Sequence, residues 1–240
     1  MSDINEHTFE IRYKPNPKVL DYRGSWAEAI SDHMKLPGWR ILENRIDIYD
    51  EKSGERAFVG FRNAGFVTHN TPTKNYFPEK ATKFFRYVLN LDGFGKSLFV
   101  ERIGVRSKFC RQYEGAFEEL REKYTTKYLS LTETAKKIID AKLLDIGGPL
   151  NFANRHGNFN TMSGPMIHEQ LSDFFGKAEE LPNVGFYFDI DYCLKPNKET
   201  DGAEILRHIE EFANSAWNKF ESISGLILGW STPVCCAINN

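Results

Sequence analysis

The sequence lacks the patterns that would assign a chemistry directly. Its four cysteines contain no Cys-x-x-Cys spacing, and its six histidines form no HxxxH or HExxH pattern, so we expect no metal site. It contains no GxSxG nucleophile motif, and no cofactor is expected. No apolar run approaches the length that spans a bilayer, so we expect no membrane partner.

An excess of charge of one sign is also missing. The chain has 31 basic and 33 acidic side chains and a net charge of −2. This balance provides no general attraction to nucleic acid, which would need a local basic patch. The opening Met1–Glu6 is polar and acidic, which is not typical of a secretory signal, so we expect a cytoplasmic protein.

The segment Asp92–Ser97 resembles a phosphate-binding loop only at first sight. It lacks the GxxxxGK[ST] spacing, and it follows a predicted helix and precedes a predicted strand. A phosphate loop has the opposite order, because the helix after it supplies the N–H groups. In position alone this turn resembles the glycine-containing turn of ferredoxin-like, RNA-handling proteins of CRISPR systems.

Aromatic residues are abundant, since 19 phenylalanines raise the aromatic share to 14%. We interpret this excess as a phenylalanine-rich core, with exposed rings lining a groove as the alternative.

The first half of the chain reads strand, helix, strand, strand, helix, strand. Period-two alternation or apolar stripes predict strands at His7–Tyr13, Trp39–Tyr49, Arg56–His69 and Leu98–Phe109, with helices beginning near Ser25 and Pro78. This is the βαββαβ order of ferredoxin-like folds.

The second half predicts a similar but less regular series. The predicted helices are Gln112–Tyr124, Thr132–Lys142, one opening at Ser163 and a long one after Thr200; the predicted strands are Leu143–Arg155, Val184–Leu194 and Gly225–Trp230. We therefore expect an α+β fold with an antiparallel or mixed sheet and helices on one face. Residues 1–124 and 125–240 would form two lobes, possibly sharing one sheet.

The strand Leu98–Phe109 carries the main candidate site. Alternation places Phe99, Ile103, Val105 and Phe109 on the core face and Arg102, Arg106 and Lys108 on the other, with Arg111 nearby. Gly104 leaves a gap between the two arginines, which would suit a planar anion or a carboxylate from another strand. The alternatives are a solvated face, or ion pairs with Glu43 and Asp47 on a neighbouring strand.

Two weaker candidates lie in the second half. Arg155 and His156 follow a predicted strand in an Asn- and Gly-rich stretch, and they would bind an anion or shuttle a proton if the stretch is more than a turn. Asp189 and Asp191 share one strand face and could hold a cation or act as an acid–base pair. No third ligand is evident for them, so a solvated face is favoured.

The order of the elements and two local patterns resemble a sporadically distributed bacterial family of unknown function. The patterns are the strand Glu101–Arg106, and Phe188–Asp191 followed by a helix that ends with Ala216–Ile223. The resemblance implies a bacterial cytoplasmic α+β protein, in a defence or mobile-element context.

Two functions remain open at this stage. The favoured one is a binding or interaction protein, not an enzyme, that acts with a protein partner or self-associates. The alternative is a nucleic-acid or nucleotide-processing enzyme that uses Arg102 and Arg106 together with Arg155 and His156. Convergence of these four residues in one pocket would favour the enzyme, whereas arginines each paired with a carboxylate would favour the binding protein.

Overall fold

The computed structural model describes residues 3–129, 138, 143–154, 157–175 and 181–229. In these residues the strands are β1 (Ile4–Tyr13), β2 (Gly38–Ile41), β3 (Arg45–Tyr49), β4 (Arg56–Gly60), β5 (Asn63–His69), β6 (Ser97–Gln112), β7 (Gly148–Asn154), β8 (Gly157–Ile167), β9 (Val184–Leu194) and β10 (Lys198–Asp201). The helices are α1 (Lys18–Met34), α2 (Tyr76–Leu89), α3 (Phe117–Tyr124), α4 (His168–Phe175) and α5 (Gly202–Leu228), and the π-helical stretch Thr125–Leu129 follows α3. The α+β class predicted from the sequence is confirmed.

All ten described strands belong to one sheet. Its order is β2-β3-β4-β5-β1-β6-β9-β8-β7, and β10 pairs with the beginning of β6. Every neighbouring pair is antiparallel. Strands from both sides of residue 124 therefore lie in the same sheet, joined where β6 pairs with β9. The division into two lobes stays a prediction.

The main core lies between one face of the sheet and the helices, and phenylalanine dominates it. Its fully buried rings include Phe9, Phe66, Phe84, Phe85, Phe109, Phe186 and Phe188. Large apolar surface is thereby removed from water, which is the main stabilising contribution to folding. We call this side of the sheet the core face, and the opposite side the polar face.

The long helix α5 covers β6 and β9 on the core face. The Asp201 carboxylate accepts a hydrogen bond from the N–H of Ala203 at the start of the helix, and Gly229 ends it in the left-handed conformation at φ 79°. Phe220 stacks on Phe109 with ring centroids 4.4 Å apart, and Phe212 stacks on Tyr192. The predicted stripe therefore packs as expected, but the predicted last strand Gly225–Trp230 is wrong because the helix continues to Leu228.

Two long predicted strands are each a hairpin in the structure. Trp39–Tyr49 divides into β2 and β3, and Arg56–His69 divides into β4 and β5. The N–H of Leu42 donates to the carbonyl of Arg45 at 2.8 Å and closes the first hairpin around a two-residue turn. Across this turn the alternation changes phase, because the odd-numbered Trp39 and Ile41 share a face with the even-numbered Ile46 and Ile48, which a single continuous strand does not allow.

The predicted core position of Phe99 is wrong because β6 contains a bulge. Arg12 pairs with Arg102 but Tyr13 pairs with Val100, which leaves Glu101 as an extra residue. The extra residue reverses the alternation, so Leu98 and Val100 join the core instead. The ring of Phe99 lies under the ammonium group of Lys14, which is 3.7 Å from the ring centroid.

Other boundaries in the second half also differ from the prediction. Strand β8 continues through Ser163 to Ile167, so the helix predicted to open at Ser163 begins only at His168. Helix α3 begins at Phe117 rather than Gln112. The predicted helix Thr132–Lys142 lies outside the described residues, apart from Ile138.

Candidate functional site: the polar face of the sheet

One group of charged residues on the polar face lies on β1, β6 and β9, three adjacent strands of the sheet. The register places Glu6 opposite Lys108, Thr8 opposite Arg106 and Arg12 opposite Arg102. On the other side of β6, Arg106 lies opposite Asp191 and Lys108 opposite Asp189. Because directly opposed side chains point to the same face, acids and bases interleave across these strands.

Each predicted cation of this face is paired with a carboxylate. Arg102 donates through Nη2 to both oxygens of Asp191 at 3.1 and 3.2 Å. Arg106 donates to Asp189 through Nη2 at 2.6 Å and through Nε at 3.1 Å. Lys108 lies 2.8 Å from Glu6. Both arginine pairs are diagonal: Arg106 lies opposite Asp191 but binds Asp189, and Arg102, which precedes the first paired residue Ile103, reaches Asp191.

Gly104 leaves the expected gap, and a guanidinium group of the protein itself fills part of it. A Cβ atom at this position would lie 2.6 Å from Nη1 of Arg102, which therefore crosses the glycine. A cavity of about 230 Å³ remains beside it, lined by Glu6, Thr8, Glu10, Arg102, Gly104, Arg106 and Asp191. Three of these residues are acidic and two are basic, so the cavity does not favour a free anion.

The ionisation of these groups is governed by pairing and burial. The hydrogen bond from Arg106 to Asp189 raises the pKa of the guanidinium above its usual value. Burial raises the pKa of the Asp191 carboxyl, and this effect exceeds the opposing attraction of Arg102 and Arg106. Asp191 is thus costly to ionise without its arginine partner.

Asp189 and Asp191, proposed from the sequence as a possible cation or acid–base pair, are both engaged by arginines. Asp189 is nearly buried and also accepts a weak hydrogen bond from the Tyr187 hydroxyl at 3.4 Å. Within the described ranges, no group of three acidic, histidine or cysteine side chains could hold a metal ion.

The carboxylates Glu43 and Asp47, considered as partners of the basic row, are not its partners. Asp47 lies on β3, which β4, β5 and β1 separate from β6. It is fully buried on the polar face and is contacted by three arginines, Arg40, Arg45 and Arg56. We call these three residues the arginine triad.

The triad is a second charged site that the sequence analysis missed. Arg56 donates to Asp47 at 2.6 Å, and Arg40 and Arg45 each donate at 3.2 Å. Burial alone would raise the pKa of Asp47, but the hydrogen bond from Arg56 and the charges of Arg45 and Arg56 outweigh it and lower that pKa. The residues come from three adjacent strands, so only the strand pairing brings them together.

Two other predicted site residues, Arg155 and His156, lie outside the described residues. Arg111 lies apart from the basic row, because at the end of β6 its side chain points to the core face. There it pairs with Asp3 and Glu221 and donates to the Ser224 hydroxyl at 2.6 Å, with its guanidinium 4.6 Å from the Phe220 ring centroid. It ties the start of β1 to α5.

One end of the polar face is covered by α4, in contrast to the expectation that helices lie on one face only. The rings of Phe174 and Tyr187 are 4.6 Å apart, and Lys108 donates to the carbonyl of Phe174 at 3.0 Å. Leu171 and Tyr187 belong to a second, smaller apolar cluster under this helix. Exposed side chains of the polar face lie on both sides of this covered end, including Arg106 on β6 and Asn160 and Met162 on β8.

Comparison with known proteins identifies no relative: no family model and no curated protein matches the sequence. Among the described helices, none is both long enough and apolar enough to cross a membrane.

Proposed function

We propose that this chain is a protein-binding module rather than an enzyme, and that it contacts its partner through the polar face. The observation that carries the proposal is the pairing of Arg102 with Asp191, Arg106 with Asp189 and Lys108 with Glu6. Cations whose charges are already balanced by carboxylates attract a phosphate group less strongly than free cations do. They are instead fixed parts of a charge pattern.

The charge of this surface supports a protein partner over a nucleic acid. On β1, β6 and β9 the acids Glu6, Glu10, Asp189 and Asp191 match the bases Arg12, Arg102, Arg106 and Lys108 in number. A polyanion gains no net attraction from a neutral surface, because its affinity depends on displacing counterions with basic groups. Positive and negative charges held at fixed positions instead favour binding of a partner whose own charges are complementary. They disfavour binding of other partners.

The arrangement of strands also supports the ferredoxin-like expectation for the first half. The sheet order β4-β5-β1-β6, with α1 after β1 and α2 after β5, is the order that a βαββαβ unit produces. The hairpin strands β2 and β3 would then be an extension at one edge. A cytoplasmic location and a bacterial defence context stay predictions of the sequence.

The second candidate function, nucleic-acid binding, is favoured by one observation. The triad sets three arginines against the single carboxylate of Asp47. This local excess of positive charge could contact a phosphate backbone.

A charge swap that preserves the ion pair tests the proposal. The double variant Arg106→Asp with Asp189→Arg keeps the net charge and reverses the pattern of the polar face. In host cells, proximity labelling with the wild-type chain should mark a reproducible partner that the swapped variant does not mark. The matched control is Arg207→Glu with Glu211→Arg, which swaps an exposed pair of α5 at 3.1 Å and should retain the partner.

A role for the polar face would be contradicted if both the polar-face swap and the α5 control swap lost the partner. It would also be contradicted if both variants kept the partner. Fluorescence anisotropy with single- and double-stranded RNA and DNA provides the other arm. Sub-micromolar binding at physiological salt that weakens steeply with added salt would replace the proposal with the nucleic-acid alternative.

A further inference from the structure

We propose that the free edge of β2 docks an extended segment of another protein, in which an acidic residue stands between two apolar ones. This inference goes beyond the proposed function, because the β2 edge could bind such a segment whether or not the polar face binds a partner. Four features of the structure meet at this edge: backbone groups, apolar side chains, a groove and a positioned arginine.

The first feature is the backbone of β2, which is the terminal strand of the described sheet. Leu42 donates its N–H to Arg45 at the closing pair of the hairpin. Hydrogen-bonded pairs recur at every second residue of an antiparallel ladder, so Gly38 and Arg40 direct their backbone groups at β3. The N–H and C=O groups of Trp39 and Ile41 consequently point outward, where an added strand would pair with them.

The second feature is apolar and lies on the core face of the same strand. Trp39 and Ile41 lie opposite Ile48 and Ile46, which are fully buried, yet their own side chains are 48% and 44% exposed. Leu20 of the adjoining helix α1 is 38% exposed. Large apolar side chains that share an edge with free backbone groups form an apolar docking surface.

The third feature is a groove of about 470 Å³ between α1 and the end of β2. Its lining consists of Leu20, Gly24, Ile41 and Leu42 together with the charged residues Asp21, Arg23 and Glu43. Arg23 fixes its floor by donating to the carbonyls of Leu42 at 3.0 Å and Glu43 at 2.5 Å. A Cβ atom at Gly24 would meet no atom within 4 Å, so the groove is open at that point. An apolar side chain of an added strand would enter here.

The fourth feature determines the charge of the occupant. Arg40 lies between Trp39 and Ile41 on the polar face, and its side chain is 58% exposed although Asp47 holds one nitrogen at 3.2 Å. The neighbouring Gly38 carries no side chain, and the ring of Tyr49 occupies the space that a Cβ there would need. A strand that pairs with β2 would thus place its outer apolar residues beside Trp39 and Ile41 and its middle residue beside Arg40, where a carboxylate is favoured.

The same geometry disfavours a second copy of this chain as the occupant. Suppose that the β2 strands of two copies pair antiparallel, with their apolar faces on the same side and as many residues paired as possible. Arg40 would then lie directly opposite Arg40 of the other copy. Like charges at directly opposed positions destabilise a sheet. An acidic strand from a different protein meets no such repulsion.

Selection of random short linear peptides on the full-length chain tests the inference. We expect enrichment of an apolar–acidic–apolar pattern, and protection of the Trp39 and Ile41 amides from hydrogen exchange when a synthetic peptide of the enriched sequence binds. Gly24→Leu, which fills the groove and favours the helix, should weaken that peptide about tenfold or more. Arg40→Gln should weaken the acidic peptide but not its Glu→Gln or Asp→Asn analogue.

Three results would overturn the inference. They are enrichment of no pattern or of a basic one, peptide affinity that Gly24→Leu leaves unchanged, and amide protection that occurs at another edge. A dimer that Gly24→Leu dissociates would assign the edge to self-association instead. The swapped variant of Arg106 and Asp189 should bind the peptide normally, so failure of the polar-face proposal and failure of this one are distinguishable.

Discussion

Replacing Phe212 with alanine should lower the free energy of unfolding by about 3–5 kcal/mol. The Phe212 side chain is 1% exposed and stacks on Tyr192 of β9, with ring centroids 5.2 Å apart. It lies in the middle of α5, the helix that covers β6 and β9, so truncation opens a cavity that the rigid sheet cannot close. Urea denaturation followed by circular dichroism measures the loss.

Leu226→Ala is the matched control for that measurement. Leu226 lies on the same helix but is 53% exposed, so its truncation should change the stability by no more than about 0.5 kcal/mol. If the two variants were equally stable, α5 would not pack against the sheet through Phe212.

Acidification from about pH 7.5 to about pH 4.5 should destabilise the protein by about 3 kcal/mol through His7 alone. His7 is buried on the core face between the rings of Phe77 and Trp217, and one ring nitrogen lies 2.9 Å from the Ser107 hydroxyl. Burial, assisted by the charge of His69, lowers the pKa of His7 from 6.5 to about 3. The folded protein therefore holds this ring neutral.

The direction of the effect follows from which state takes up the proton. As the pH falls below 6.5, His7 of the unfolded chain becomes protonated, whereas His7 of the folded protein stays neutral until about pH 3. Acid thus favours the unfolded state throughout this window. The stability that neutral His7 provides is complete above pH 6.5, declines as the pH falls, and is fully lost below about pH 3.

The variant His7→Phe isolates this contribution, because it preserves the ring stacking but cannot take up a proton. Its unfolding free energy, measured by urea titration across the same pH range, should decline less steeply than that of the wild type. The carboxylates and the other histidines contribute equally to both curves. Parallel curves would show that His7 is not buried in its neutral form.

The parts of the fold that depend on local pattern could be predicted from the sequence. Alternation placed β9 at its observed bounds, Val184–Leu194, and the apolar stripe placed α5 against it. The pattern failed where a single residue changes its phase, as Glu101 does at the bulge that moves Phe99 to the polar face. It also failed where a two-residue turn reverses the phase, as between β2 and β3, where Trp39 and Ile41 lie opposite Ile48 and Ile46.

The candidate site depends on pairings that no local pattern contains. Alternation placed Arg102 and Arg106 on one face of β6, and it placed Asp189 and Asp191 on one face of β9. It could not show that β6 and β9 are neighbours, which decides whether the arginines are free or paired. The triad was missed for the same reason, since Arg40, Arg45 and Arg56 converge on Asp47 only through the pairing of three strands.

A double-mutant cycle on Arg106 and Asp189 tests most directly whether the cations of the polar face are internally paired. The variants are Arg106→Ala, Asp189→Asn and their combination, with Arg207 and Glu211 as the reference pair. Exposed pairs within a helix contribute about 0.3–0.5 kcal/mol, whereas a carboxylate as buried as Asp189 should couple to its arginine by more than about 1 kcal/mol. A coupling energy above that of the reference pair is the predicted result. A value at or below the reference would mean that Arg106 is available to an external anion, which would contradict the account.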